Sequence, residues 1–366
     1  MIDHKPSILM CGPSRLAVSG VATHLNQLFD SSLSDKYTLI QFQVGSEGRD
    51  EGRLRKILRY LLSPMEFVAA LIRFRPAIVH LNTSMEAKSY WRDLVYLCAA
   101  RLLWRKVVYQ VHGGGLPSSF LGKNRLSQAF LRSTLKMPDA ISLLADVELE
   151  EYRNFKAGKR LYIVPNAIRL EDYADVQAKQ FERKELILGY IGRLADDKGV
   201  RETIEAIAIL RRDGGGSFRF QIAGSGPDED FLRQLVSEKG VGEIVEFLGP
   251  VFGEGKMQFW EGIDIFVFPT FHREGLPYTI LEALASGTPT LSTRVGGIPD
   301  VIQDGAQGVL LDDHDPDSVA TAIEAMLLDR QRLREMSVAA MQRASDHYGV
   351  ERLVSQFDRI YRELLA

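Results

Sequence analysis

The sequence predicts an α/β protein made of two doubly wound parallel-sheet domains in series. Three observations predict it. Apolar runs alternate with amphipathic stretches along most of the chain, a polar stretch interrupts that rhythm near the middle, and 366 residues suit two domains better than one.

In order, Ile8–Cys11 reads as a strand and Val21–Phe29 as a helix, then Leu39–Val44 as a strand and about Leu54 to Phe74 as a long helix. Strands at Ile78–Leu81, Val107–Val111, Ala140–Leu144 and Tyr162–Val164 follow, with helices between them. Such a βαβα rhythm implies a parallel sheet covered on both faces. The charged stretch Asn166–Glu185 reads as the inter-domain connection. A second series has strands at Ile187–Ile191, Phe218–Ala223, Val245–Leu248, Ile265–Pro269 and Thr288–Ser292, and three helical stretches close the chain. The expected domains are residues 1–168 and 185–348, with a last helix from 349 packing back on the first. Open parallel sheets bind ligands at the carboxyl ends of their strands, so the chemistry is expected in the loops after strands.

Composition narrows the classes. Only Cys11 and Cys98 are present, which excludes a disulfide framework and fits a reducing, cytoplasmic setting. No Cys/His metal spacing occurs, the start lacks a signal-peptide core, and no run reaches the ~20 apolar residues of a spanning helix. Residues 1–166 hold 23 Lys and Arg against 14 Asp and Glu, a balance of +9; the rest hold 22 against 34, a balance of −12. That asymmetry suggests that one half meets an anionic surface or substrate, although two solvated surfaces drifting apart in charge would look the same.

The densest cluster of unusual residues follows the run Ile265–Thr270. Glu274, Gly275, Leu276 and Pro277 lead into a helix that carries Glu282. Pro277 suits the first helical position, where its missing N–H costs nothing. A helix start presents free N–H groups to a phosphate, and Gly275 lets that backbone come close to a ligand. From spacing alone, a helix cap and a solvated helix residue explain the two glutamates equally well. Arg193 and Lys198 stand where the strand Ile187–Ile191 feeds the next helix, placed to meet a phosphate, and pairing with Asp196 or Asp197 is their plain reading. Gly224 in Gly224-Ser225-Gly226 is weak evidence alone, and a tight turn is its plain reading. In the first half, His112 ends a strand before Gly113-Gly114-Gly115, which suits a cleft better than a core.

Glu274-x7-Glu282 with Gly-Leu-Pro after the first glutamate, Glu282-Ala-Leu-Ala-Ser-Gly-Thr-Pro289, and Thr293-Arg-Val-Gly-Gly-Ile-Pro-Asp300 together resemble the signature of family-four retaining glycosyltransferases. The resemblance covers essentially the whole chain and is weakest from Gly45 to Arg75. It implies the GT-B fold, two Rossmann-like domains facing across a cleft, the first for the acceptor and the second for a nucleotide sugar. It implies transfer of a hexose-type sugar from a donor such as a UDP- or GDP-sugar, with retention, to a hydroxyl of a glycan or lipid-linked glycan, in cell-surface polysaccharide synthesis. No metal or other cofactor is expected.

By the same resemblance, Glu274 contacts the sugar, Glu282 the ribose, and Arg193 and Lys198 the diphosphate. Gly224, Pro250 and Val251 line the nucleotide pocket, Gly20 contacts phosphate or acceptor, and His112 contacts the donor sugar. The family has two adjacent glycines before the first helix; here Ser19 replaces the first of them. Asn82, Thr83 and Ser84 are expected at the acceptor.

Basic and apolar residues interleave from Arg49 to Arg75, with further pairs at Trp91-Arg92 and Trp104-Arg105-Lys106. Such segments bind anionic lipid, so peripheral contact with the inner face of the membrane is expected and nucleic acid is not. An ordinary packed helix with basic outer residues is the rival reading. A nucleotide-sugar epimerase of the same fold, consuming donor without acceptor, is the nearest alternative enzyme. A non-catalytic nucleotide-sugar-binding protein is the alternative of another class. A nicotinamide dehydrogenase is disfavoured because Cys11-Gly12-Pro13-Ser14 lacks Gly-x-Gly-x-x-Gly.

Overall fold

A computed structural model describes residues 5–49, 51–122, 124–158, 160–273 and 275–366. It separates into two compact units, residues 1–167 with 350–366, and residues 168–349.

The first unit is built on β1 (Ser7–Gly12), α1 (Gly20–Phe29), α2 (Leu33–Lys36), β2 (Thr38–Gln43), α3 (Arg53–Phe74), β3 (Ile78–Met85) and α4 (Ala87–Leu102). It continues through β4 (Lys106–Gly114), α5 (Pro117–Phe120), α6 (Arg125–Leu135), β5 (Ala140–Leu143), α7 (Asp146–Asn154) and β6 (Leu161–Ile163). The six strands pair in the order β2-β1-β3-β4-β5-β6, all parallel. Strands covered on both faces need apolar residues at consecutive positions, and Ile8, Leu9, Met10 and Cys11 are all buried. Pairing of β3 with β4 carries both strands beyond the expected ends, taking in Asn82 to Met85 and His112 to Gly114. Ser19 caps α1 in an extended conformation, its hydroxyl accepting from Ala22 N at 3.4 Å. A cap needs no glycine there, which gives the residue that departs from the family pattern a local purpose.

The second unit holds β7 (Leu186–Ile191), α8 (Val200–Asp213), β8 (Phe218–Ala223), α9 (Glu229–Glu238), β9 (Val245–Gly249), α10 (Glu254–Gly262), β10 (Ile265–Phe268) and α11 (Tyr278–Ala285). It ends with β11 (Thr290–Thr293), α12 (Ile298–Val301), β12 (Gly308–Leu311), α13 (Pro316–Leu328) and α14 (Arg330–His347). The closing helix α15 (Val350–Leu365) belongs to the first unit, where Phe357, Ile360, Tyr361 and Leu364 are buried with Ile8, Met10 and Leu25. The second sheet runs β12-β11-β10-β7-β8-β9, again parallel. Its edge strand β12 escapes the sequence reading because four residues between two turns give almost no periodic signal.

The stretch expected to be the inter-domain connection is a strap on the second unit. Tyr173 and Phe181 are buried, and Lys179 Nζ donates to the carbonyl oxygens of Trp260 and Ile263 at 2.7 and 2.6 Å. Burial lowers the Lys179 pKa to about 8. The second unit therefore starts at Ile168, whose N–H donates to Tyr348 O at 2.7 Å, beside the return to α15. Two buried aromatic anchors and one half-buried ammonium fix the strap, although charged residues dominate its sequence.

Candidate active site

Each sheet has one point where the strand order reverses, and ligands of such folds bind outside the carboxyl ends there. In the second unit this point lies between β7 and β10. The turn after β7 carries Arg193 and Lys198, and the loop after β10 leads to Gly275, Leu276, Pro277 and α11. The reversal thus brings together residues some 80 positions apart in the chain.

These two loops are bonded to each other. The backbone oxygen of Asp197 accepts from Phe271 N, His272 N and Thr270 Oγ1 at 3.0–3.1 Å, and His272 Nδ1 contacts Asp197 Oδ2 at 2.5 Å. Gly199 sits at φ +78°, where a Cβ would overlap the carbonyl of Pro269. Next to them, Gly224 at φ +146° lies so close that a Cβ would overlap the carbonyl oxygen of Gly192. Gly224 N donates to Gly249 O at 2.8 Å, which ties in the turn carrying Pro250 and Val251. Gly297 N donates to Gly275 O at 3.1 Å and adds the loop before α12. Five loops are laced into one surface at the strand ends.

Arg193 is exposed, and its guanidinium has no acidic partner among the described residues. Pairing with Asp196 or Asp197, the plain alternative, is not what forms: Asp197 is held by His272. Leu276 is buried beneath the loop, while Gly275 and Pro277 are half-buried. Pro277 is the N-cap of α11 and not its first helical residue, because its ψ of 130° is extended. Glu274 lies outside the described residues.

Glu282 is buried in α11, not solvated on it. Its Oε1 accepts from Lys256 Nζ at 2.5 Å and its Oε2 from Trp260 Nε1 at 3.2 Å, both on α10. A carboxylate offers about four lone-pair sites, so both oxygens keep acceptor capacity. Burial first, and then the Glu282 carboxylate, push the hydroxyls of Tyr173 and Tyr278 far above their ordinary pKa, keeping them protonated. Lys256 and Trp260 escaped the sequence reading, although their spacing of four placed them on one helix face.

In the first unit His112 projects from β4 beside a histidine cluster. His112 Nε2 donates to Asn82 Oδ1 at 2.8 Å, and Asn82 Nδ2 donates to Cys11 O at 3.1 Å. The Cys11 carbonyl orients the amide, which fixes the proton on Nε2 and leaves Nδ1 as an acceptor. Burial, reinforced by His80, lowers the His112 pKa to about 3, so the ring is neutral at physiological pH. The His24 ring lies 4.9 Å away, fully buried.

Asn82 and Thr83, expected at the acceptor, are buried within β3, and Thr83 Oγ1 donates to Asp93 at 2.6 Å. Ser84 is half-buried, and its hydroxyl has no partner among the described residues. All three border a cavity of about 500 Å³ at the carboxyl ends of β1, β2 and β3, where the first sheet reverses. Gly20 is exposed at the start of α1. Among the described residues no group of three or more His, Cys, Asp or Glu could hold a metal ion, and no helix is long and apolar enough to cross a membrane.

Comparison with known proteins agrees with this arrangement. Over 168 residues, 44% of this chain, it is 36% identical to D-inositol 3-phosphate glycosyltransferase of Nocardia farcinica. The match spans 37% of that relative, and 38% and 53% of two corynebacterial proteins of the same name, so the chain spans about half or less of their length. Among solved structures, sucrose-phosphate synthase from Thermosynechococcus elongatus superposes with a TM-score of 0.77 at 18% identity, over 98% of this chain and 99% of that one. Anabaena HepE in complex with UDP-glucose gives 0.75 at 15% identity, over 98% and 100%. At these identities the likeness is one of fold, the GT-B fold of two six-stranded parallel sheets. The family model described as glycosyl transferases group 1 matches residues 173–355, half of the chain, including both aromatic anchors of the strap and all five laced loops. This chain belongs to the glycosyl transferases group 1 family.

Proposed function

We propose that the protein transfers a hexose-type sugar from a nucleoside diphosphate to a hydroxyl acceptor, with retention of anomeric configuration. The observation that carries the reading is the lacing of the turn after β7 to the loop after β10. It fixes Arg193 and Lys198 at the strand reversal that also leads to α11 and Glu282.

Departure of the sugar leaves charge on the β-phosphate, and fixed cations stabilise it more than they stabilise the ground state. Arg193 offers a planar fork and Lys198 a point charge for that purpose. Glu282, already oriented by Lys256 and Trp260, accepts from the ribose hydroxyls, and Glu274 takes the sugar role that the family resemblance implies. Gly224, Pro250 and Val251 shape the nucleotide pocket. We assign His112 a contact with the sugar through its neutral Nδ1, which accepts from a hydroxyl and does not serve as an acid. The acceptor hydroxyl attacks the face from which the nucleotide leaves, and the β-phosphate takes its proton. Arg193, Lys198 and the loop N–H groups compensate the charge without a metal.

The acceptor is a glycan or lipid-linked glycan at the inner face of the cytoplasmic membrane, in polysaccharide synthesis. The test is an assay with labelled UDP- and GDP-sugars, with and without chelator, and NMR of the product anomer. An α-linked product from an α-linked donor, formed in chelator, is the expected result. Donor consumption without any acceptor would point to the epimerase, and strict dependence on a divalent ion would overturn the metal-free mechanism.

A further inference from the structure

Helix α3 carries two apolar stripes, and only one is used inside the protein. Ser63, Phe67 and Leu71 are buried. Leu54, Leu58, Leu61, Met65 and Ile72 recur at steps of three, four and seven, so they share a second face. All of them are exposed, from 56% to 83%. Soluble helices expose such residues singly, not as a continuous row. Within α3, Arg53, Arg55, Lys56, Arg59 and Arg73 stand against one carboxylate, Glu66. Arg59 is paired with Glu51; the other four have no carboxylate partner among the described residues.

The row continues onto neighbouring helices. Tyr60 and Pro64 share a small cleft with Trp91 and Val95 of α4, and Trp91 stacks on Phe130 of α6 with ring centroids 5.8 Å apart. Trp91, Val95 and Phe130 are 47%, 46% and 43% exposed. The 500 Å³ cavity opens at the same place: Ile57, Tyr60 and Leu61 form one wall, with Ser84, Glu86 and Lys88 also lining it.

We propose that the α3–α4–α6 face lies in the headgroup layer of an anionic bilayer, and that the cavity receives the polar head of a lipid-anchored acceptor from that bilayer. A 22-residue helix is about 33 Å long and lies flat in such a layer with its apolar row immersed and its cations at lipid phosphates. Trp91 and Tyr60 suit the same depth, apolar at one end and polar at the other. A second copy of this chain is a poorer occupant, because two such faces would bring two basic flanks together. The cavity's occupant rests on the transfer reading above; the docking of the face does not.

Flotation with vesicles separates these claims. The protein is expected to float with phosphatidylcholine vesicles containing roughly one-third phosphatidylglycerol at about 0.15 M salt, and not with pure phosphatidylcholine. The triple variant Leu54→Ser, Leu58→Ser, Leu61→Ser should lower the bound fraction at least about tenfold with an unchanged melting temperature, since all three side chains are exposed. Arg53→Glu with Arg55→Glu should remove the preference for anionic vesicles. No flotation by the wild type, or equal flotation by the triple variant, overturns the docking. So does a wild-type dimer in sedimentation that the triple variant turns into a monomer. For the cavity, vesicles of a total bacterial lipid extract serve as acceptor, with a labelled nucleotide sugar and the label read in the organic phase. Label found there with the wild type, and lost in a Ser84→Trp variant that still floats, supports the assignment. Label transferred only to water-soluble acceptors overturns it. Flotation with no transfer to any acceptor counts against the transfer reading and leaves the docking intact.

Discussion

Arg193→Ala lowers kcat by roughly 10²–10³-fold, the range found when one fixed donor to a developing charge is removed, and raises donor KM because the same guanidinium holds the diphosphate. The guanidinium is exposed at the end of β7 and has no acidic partner in its own fold among the described residues, so its loss leaves no buried charge stranded. A fall in kcat at unchanged melting temperature is therefore a loss of chemistry and not of folding. Lys198→Ala is expected in the same range, for the same leaving group. Arg193→Lys should recover only part of the rate, because a point charge cannot reproduce the fork. Activity within a few-fold of wild type in Arg193→Ala would remove the residue from the site.

The second large effect is on stability in acid. His80 and His112 are held neutral by burial, with pKa values lowered to about 4 and about 3, and burial lowers that of His24 well below its ordinary value. Unfolded, each titrates near 6.5. Below that pH the unfolded chain binds protons that the folded one refuses, so stability is full above about 6.5 and is lost as pH falls towards the folded values. At pH 5 the loss is about 2 kcal/mol for each of His80 and His112, with His24 adding in the same direction. That is a large share of a typical stability of roughly 5–15 kcal/mol. Hydrogen exchange of the β3 and β4 amides at pH 7.5 and pH 5 isolates the first unit, and protection should fall sharply. His24 has no hydrogen-bond partner on either ring nitrogen among the described residues, so His24→Leu should make the fall smaller. Equal protection at the two pH values would contradict the neutral cluster.

The strands other than β12 were legible because each is an apolar run between turn residues. Ile8–Cys11 and Ile265–Phe268 needed no tertiary information. What the sequence hid was set by pairing or by distant partners. β3 and β4 run on through Asn82 and His112 because they hydrogen-bond to each other, and that register lets Asn82, which also borders the cavity, orient a histidine. The strap at 168–185 looked like a linker because its charged residues outnumber Tyr173 and Phe181, the two that anchor it. Glu282 was legible as important, but not as buried: its partners Lys256 and Trp260 lie on another helix, and nothing local announces them. The basic–apolar pattern of Arg49–Arg75 was legible too, yet only the exposure of Leu54, Leu58 and Leu61 separates an unpartnered face from an ordinary packed helix.

Every step proposed for the reaction depends on a nucleotide sugar binding the laced loops of the second unit through its diphosphate. Thermal shift with a panel of UDP- and GDP-sugars and their nucleotides, on the wild type and on the Arg193→Ala, Lys198→Ala double variant, tests it most directly. One nucleotide sugar should raise the melting temperature of the wild type in a concentration-dependent way, since a ligand of the folded state stabilises it by mass action. The double variant, with the same melting temperature unliganded, should show little or none of that shift. A panel that stabilises neither protein, or both equally, would contradict the claim.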